Sequence, residues 1–377
     1  MADDNQSSRI LWSGTISIYM RVRKMNENKV LIVVNSFTQN NGVTNCMMNY
    51  YDELVTHSSC VDFLVLKKVN SPYEKKVVKN GGKVFFLPKV DSYISRKKMR
   101  FLDEIMKQRY DVVHVNVPNH NGAAVLLSAY KNKVPVRVYH SHAQKLADTY
   151  KNKIKSFVFD NLCSTLSNAH LACSNMAGEW LYGRNRKFQV ISNGIITKKY
   201  IYNEEINNEL RRTLDIPESA YVIGNIGRFT MQKNHKYLIQ IFYELCKVNT
   251  NYYLVLVGDG PQKVEMESYA KELGIISNIR FLGVRSDINS ILQIMDIFIM
   301  TSLYEGLPIV SVEAQAAGMN LFLSDTISKE SELTSYVNWF SLDDNILKLR
   351  DWILKTPKLT SDIKKMMNEQ VKNKGFD

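Results

Sequence analysis

Short runs of β-branched residues alternate with helix-length stretches along this chain, in two successive series. The first series comprises Lys29–Asn35 (KVLIVVN), Val61–Leu66, Lys83–Leu87, Val112–Val117, Val134–Tyr139 and His170–Cys173. Helical segments are expected near 95–108, 121–131 and 154–167, and a turn at Gly42 leads into an amphipathic stretch reaching Leu54. The second series comprises Tyr221–Ile226, Tyr252–Val257, Ile279–Leu282, Ile297–Met300 and Leu321–Leu323. Helical segments near 234–248, 262–273, 286–294 and 309–317 separate these runs. A run such as VLIVV is apolar at every position, the pattern of a strand covered on both faces. Strands alternating with helices then imply parallel sheets sandwiched between helices. A chain of 377 residues is long enough for two such cores. The expected fold is α/β, two doubly wound domains with a cleft between them, over 25–197 and 198–377. The series meet around Lys187–Lys199, where VISNGI reads as a strand ending in an Asn-Gly turn. In such sheets ligands bind outside the carboxyl ends of the strands.

Composition narrows the setting. No apolar run approaches the roughly 18–20 residues of a membrane span. Ile10–Met20 is mildly apolar, but Arg21, Arg23 and Lys24 follow it, the wrong order for a secretory signal. Residues 1–24 are expected to be a disordered extension, with Met25 an alternative start. Five cysteines (46, 60, 163, 173 and 246) form no CxxC pair and no metal-ligand spacing with histidine, which reads as free thiols in a reducing, cytoplasmic setting. The net charge of +12 is unevenly placed: residues 25–197 hold 24 Lys+Arg against 12 Asp+Glu, whereas residues 198–377 hold 21 against 23. A basic half suits an anionic membrane or an acidic substrate as well as plain solubility. The basic stretches lack the interleaved aromatic residues of a base-stacking surface, so no nucleic-acid partner is expected.

Several strand-to-helix junctions carry residues suited to phosphate and polyol chemistry. Ile223–Phe229 (IGNIGRF) ends in Gly227, which lets backbone approach a ligand, and Arg228 and Lys233 place two cations beside a helix N-terminus. That set suits a diphosphate: a guanidinium fork, a point charge and free N–H groups. Val257–Pro261 (VGDGP, with Gly258) is a second such turn, a weak signal alone. Phe281–Asp287 (FLGVRSD) offers an apolar wall and main-chain groups suited to a nucleobase. Ser302–Gly318 (SLYEGLPIVSVEAQAAG) sets Glu305 on a loop before a helix N-terminus and Glu313 in the helix body, about a turn and a half further on. In the first half, Gln39–Val43 follows the first strand, His142 ends the fifth, and His114 and His170 read as satisfied core residues, His140 being left without a role. No DxD occurs, and no His/Cys/carboxylate group has metal spacing, so no metal is expected.

The order of these motifs resembles glycosyltransferase family 4, retaining enzymes of the GT-B fold with two Rossmann-like domains facing across a cleft. IGRF with Lys233, VGDGP, FLGVRSD and SLYEGLPIVSVEAQAAG resemble its nucleotide-sugar half, and VISNGI, YHSH and the LACS strand are similar to its first half. The likeness spans about Val30 to Glu332, and the SDTISKE run (324–330) is similar to bacterial capsule and exopolysaccharide enzymes. It implies that Arg228 and Lys233 clamp the donor diphosphate and that Glu305, with the Gly306 and Leu307 N–H groups, contacts the transferred sugar. It further implies Glu313 on the ribose, Val284 and its neighbours at the base, Gly42 near the phosphates and His142 near the reacting sugar. Asn41-Gly42 stands where the family has paired glycines. The chain ends at Lys374–Asp377, where related enzymes continue into a final helix, so a shortened C-terminal helix is expected.

The implied activity is retaining, metal-independent hexosyl transfer from a nucleotide-sugar, UDP by resemblance, to a glycan or lipid-linked acceptor in polysaccharide biosynthesis. No other cofactor is implied. An acceptor on a lipid diphosphate would draw the basic first half to the inner face of the plasma membrane. The expected interfacial helix lies in Tyr93–Tyr110, where Arg96, Lys97 and Arg100 flank Ile94, Phe101, Leu102 and Ile105; a core helix with a solvated basic face is the other reading. The alternatives to a transferase are a nucleotide-sugar epimerase or hydrolase of the same fold and a catalytically silent sugar-nucleotide-binding partner subunit.

Overall fold

The structure is a computed structural model that describes residues 28–38, 41–56, 60–88, 95–142, 150–183, 186–191 and 193–377. The expected extension at 1–24, the start at Met25, Gln39–Asn40 and Tyr93–Ile94 lie outside the described residues. Two compact units part between Gly194 and Ile195.

In the first unit the described strands are β1 (Lys29–Ser36), β2 (Cys60–Lys67), β3 (Val84–Phe86), β4 (Val112–Val115), β5 (Val136–Ser141), β6 (Ala169–Ala172) and β7 (Gln189–Val190). All pair in parallel, in the order β3-β2-β1-β4-β5-β6-β7. The helices are α1 (Gly42–Thr56), α2 (Pro72–Lys79), α3 (Arg96–Met106), α4 (Asn119–Lys131), α5 (Tyr150–Leu166) and α6 (Asn175–Tyr182). Strand alternation explains the unbroken apolar run of β1. Val30, Ile32 and Val34 pack with Met47 and Tyr51 of α1, while Leu31 and Val33 pack with Leu102 and Ile105 of α3.

The second unit repeats the plan. Its strands β8 (Tyr221–Ile226), β9 (Tyr252–Val257), β10 (Ile279–Gly283), β11 (Ile297–Met300), β12 (Asn320–Ser324) and β13 (Val337–Phe340) form a parallel sheet in the order β10-β9-β8-β11-β12-β13. Helices α7 (Glu204–Thr213), α8 (His235–Val248), α9 (Lys263–Glu272), α10 (Ile288–Gln293), α11 (Ile309–Ala316), α12 (Ile346–Lys355) and α13 (Ser361–Val371) surround it. Ile223, Leu254, Ile297 and Phe322 face one apolar cluster, while Val222, Val255, Phe298 and Leu321 face the other. In each sheet the first strand lies between its second and its fourth. The chain therefore reverses winding direction there, and a crevice opens beyond the carboxyl ends of those two strands. In the second unit that point lies between β8 and β11.

The structure revises several expectations. Gly42 is not a turn residue: it is the first residue of α1, with the Asn41 side chain capping Thr44 N–H at 3.2 Å. Among the described residues of VISNGI only Val190 is in strand, β7 being a two-residue edge whose residues are both exposed. Helix α3 buries Leu102, Ile105 and Met106, so its apolar side faces the core and Arg96, Lys97 and Arg100 face water; this is the core-helix reading of that segment. Helices α2, α6, α7, α12 and α13 and strand β13 had no sequence-based expectation. Each of those helices buries few apolar residues; α2 buries only Val77. The last residues belong to the second unit's own core. Phe376 is buried there, its carbonyl accepts from Ile195 N–H at 2.7 Å, and Asp377 Oδ1 accepts from Thr197 N–H at 2.8 Å.

Candidate functional site

The segment Gly227–Asn234 follows β8 and the segment Thr301–Pro308 follows β11, about seventy residues later. Because β8 and β11 are neighbours, the two loops meet. Lys233 Nζ lies 2.7 Å from Glu305 Oε1, both side chains being largely buried. Gln232 Nε2 donates to Tyr304 O at 2.9 Å and to Glu305 Oε1 at 3.2 Å, and Gln232 O accepts from Leu303 N–H at 2.8 Å. Thr301 Oγ1 donates to Lys233 O and Asn234 O at 3.1 and 2.9 Å. From the other side the SDTISKE run holds the acidic loop. Ser324 Oγ and Thr326 Oγ1 donate to Ser302 O at 2.7 and 2.6 Å, and Ser328 N–H donates to Glu305 O at 3.2 Å.

Asn234, in a left-handed conformation (φ 52°), turns the chain into α8, whose first N–H groups have no intrahelical partners. Arg228 is exposed, and among the described residues its guanidinium makes no hydrogen bond or ion pair. Two cations and a helix N-terminus thus follow a single strand, an arrangement that favours a bound anion. His235 stacks on Phe229 at 4.1 Å between ring centroids, and burial beside Lys233 pushes its pKa down to about 4, which keeps that ring neutral.

The glycines divide by role. A Cβ on Gly227 would stand 3.3 Å from the Lys233 stem, so the bare backbone leaves that lysine room. Gly258 has φ 135°, and a Cβ there would collide with the Gly227 carbonyl. Gly258 therefore permits two loops to pack, and Gly227 N–H donates to Val257 O at 2.9 Å across the same junction. Beyond β10, Gly283 takes φ 65° and Val284 is half exposed, while Arg285 and Asp287 pair with each other at 2.6 Å. Gly306 is partly buried and Leu307 is in the core at the start of α11.

Glu313 lies on α11 and accepts from Tyr200 OH at 2.7 Å. Burial raises the Glu313 carboxyl to about 7, against the lowering effect of the Tyr200 bond, and burial beside Glu313 raises the Tyr200 phenol. Tyr200 sits in the turn Thr197–Tyr200, 113 positions away, and no local pattern announces the pairing. Gln232 was missed likewise, although it stands next to Lys233.

In the first unit, Asn116 follows β4 and His142 follows β5, and His142 Nε2 lies 2.8 Å from Asn116 Oδ1. The His140 ring lies tilted behind it, centroids 4.0 Å apart, and His114 Nε2 lies 3.1 Å from His140 Nδ1. His114 is thus a satisfied core residue, and His140, previously without a role, backs His142. Burial pushes His142 to about 4 and His114 to about 3. His170 is bonded to Ser164 O at 2.9 Å. Among the described residues no group of His, Cys, Asp and Glu is arranged to hold a metal ion, and no helix is long and apolar enough to cross a membrane.

Two doubly wound parallel sheets, each with polar side chains gathered beyond strand ends, define a two-domain architecture of the α/β class. Comparison with known proteins makes this specific. The family described as Glycosyltransferase Family 4 matches residues 40–199, and that described as Glycosyl transferases group 1 matches residues 206–372. EpsF of Bacillus subtilis (strain 168) is 28% identical over 360 residues, covering 93% of each chain. The UDP-Gal:alpha-D-GlcNAc-diphosphoundecaprenol alpha-1,3-galactosyltransferase of Escherichia coli is 26% identical over 257 residues, 64% of this chain and 66% of that one. Among solved structures, Anabaena Alr3699/HepE in complex with UDP-glucose superposes with a TM-score of 0.76 at 18% identity, covering 93% of this chain and 95% of that one. The chain belongs to the glycosyltransferases of the GT-B fold, with relatives in polysaccharide biosynthesis.

Proposed function

We propose that this glycosyltransferase transfers a hexose, with retention, from a UDP-sugar to a glycan or lipid-linked acceptor in cell-surface polysaccharide synthesis. The observation that carries the reading is the meeting of Lys233 and Glu305 beyond β8 and β11, with Arg228 exposed on the same loop that leads into α8. Arg228, Lys233 and the α8 N-terminus would take up charge as the sugar–diphosphate bond loosens, the electrostatic term that a leaving diphosphate requires. Glu305, with Gly306 and Leu307, holds sugar hydroxyls; Glu313 holds the ribose; Val284 lies along the base. His142 orients the reacting sugar or acceptor, and Gly42 approaches the phosphates at the start of α1. Neither glutamate acts as nucleophile, and attack comes from the face the diphosphate leaves. Support for the donor class comes from HepE, solved with UDP and with UDP-glucose, and from the galactosyltransferase whose name specifies UDP-Gal and a diphosphoundecaprenol acceptor. The test is transfer from a UDP-hexose panel by the wild type, Arg228→Ala and Glu305→Ala, with and without chelator. Wild-type rates in both variants would remove the site assignment, and a requirement for added divalent metal would remove the metal-independent chemistry.

A membrane-bound acceptor accords with the basic first unit, though not through α3, whose apolar side is buried. Phe157, Val158 and Leu162 are exposed apolar residues of α5. Each basic residue close to an anionic surface adds about 1 kcal/mol. Sedimentation with phosphatidylglycerol vesicles but not with phosphatidylcholine vesicles is expected, and equal sedimentation with both would remove the proposal.

A further inference from the structure

We propose that Gln232 is a positioning residue for Glu305: with Lys233 it occupies carboxylate oxygen Oε1, which leaves Oε2 as the oxygen offered to a ligand hydroxyl. The inference deepens the reading of Glu305 as the sugar contact and rests on it. Gln232 sits in the single turn Met231–Lys233 beyond β8, and every bond it makes to the acidic loop spans about seventy residues. Its two side-chain partners, Tyr304 O and Glu305 Oε1, are both acceptors, so the amide must turn its NH2 end toward them. Leu303 N–H, donating to Gln232 O, secures the backbone of the same turn against the same loop.

Oε1 therefore receives two donors, Lys233 Nζ at 2.7 Å and Gln232 Nε2 at 3.2 Å, as many as one carboxylate oxygen ordinarily accepts. Oε2 has no hydrogen bond among the described residues. A carboxylate held by one oxygen cannot rotate freely, and its second oxygen becomes an acceptor fixed in direction. Such a group suits a sugar, whose hydroxyls must be read by position. The division of labour matters when an anion arrives. A diphosphate draws Lys233 Nζ toward itself and weakens its hold on Glu305, whereas the neutral amide of Gln232 has no reason to leave. Gln232 thus keeps Glu305 aimed in the occupied site.

The experiment titrates UDP and a panel of UDP-hexoses into the full chain by calorimetry, for the wild type, Gln232→Met and Glu305→Ala. Methionine keeps the length and apolar stem of glutamine and removes its N–H donors. The quantity read is the factor by which the sugar tightens binding over UDP alone. If Gln232 acts through Glu305, Gln232→Met lowers that factor about tenfold, as expected for losing a bond to a charged group. UDP affinity stays within about twofold, since the amide touches nothing on the nucleotide side. An equal fall for UDP and UDP-hexose would mean that Gln232 merely holds the loop, and an unchanged factor would mean that it does nothing; either overturns the proposal. Loss of the factor in Glu305→Ala but not in Gln232→Met rejects positioning alone. An unchanged factor in Glu305→Ala, or no binding of any UDP-hexose to the wild type, rejects the sugar-site reading and this inference with it.

Discussion

A carboxyl group buried with no cation paired to it among the described residues makes folding depend on pH, and Glu313 is such a group. Its pKa rises from an unfolded value of 4.5 to about 7, chiefly because burial penalises the charged form. The folded chain therefore keeps a proton that the unfolded chain releases between about pH 4.5 and 7. Below that window both states are protonated and the site is at its most stable. As pH rises through it the native state loses ground, and above about pH 7 the loss is complete. At 1.36 kcal/mol per pH unit the window corresponds to about 3 kcal/mol. Glu313→Gln keeps the shape, can still accept from Tyr200 and never ionises. Urea unfolding at a series of pH values, followed by the fluorescence of Trp339 and Trp352 in the same unit, gives the stability difference between wild type and variant. Other titrating groups cancel in that difference. The wild type is expected to lose about 3 kcal/mol relative to Glu313→Gln between pH 4.5 and 7.5. A flat difference, or one that changes below pH 4, would refute the reasoning, since the carboxyl would then be solvated or paired in the folded chain.

Further outcomes follow from other parts of the structure. Asp296→Asn removes the partner of the buried Arg211, bonded at 3.1 Å, and is expected to destabilise the second unit by about 3–5 kcal/mol in urea titration. Gly258→Ala forces a methyl group against the Gly227 carbonyl at φ 135° and is expected to lower thermal stability and abolish UDP-induced stabilisation, whereas Gly274→Ala, in open space at φ 72°, affects stability alone. Asn116→Leu removes the acceptor at His142 Nε2 and is expected to move that ring from a single Nε2–H tautomer toward a mixture, visible in the nitrogen–proton spectrum of the imidazole.

The correspondence between motif and structure was closest where a local pattern has a local cause. β9 and β11 fall on their expected bounds, because a strand buried on both faces needs an unbroken apolar run and can be read without knowing its neighbours. Helix α7, capped by Asn203, buries Asn207 and Arg211, so its packing does not follow the hydrophobicity of its sequence. Nothing in VGDGP reveals that the Gly227 carbonyl lies against Gly258. The choice between an interfacial and a core helix at α3 was not legible for a related reason. The apolar face of α3 looks the same whether it meets lipid or the core, and only packing shows that Leu102 is already covered.

By itself the sequence determined the α/β class, the two series of strands and the residue types that phosphate and polyol chemistry need. It placed Arg228, Lys233 and Glu305 at strand-to-helix junctions and Glu313 in a helix body, since glycine, proline and charge mark such junctions locally. Tertiary structure alone decided which of these meet. Lys233 reaches Glu305 because β8 and β11 are neighbours across a winding reversal, a consequence of strand order that no local spacing encodes. The same holds for Tyr200 on Glu313, Gln232 on Glu305 and Asn116 on His142. Side-chain chemistry is written along the chain, but the low-dielectric contacts that tune it arise only when distant segments exclude water together.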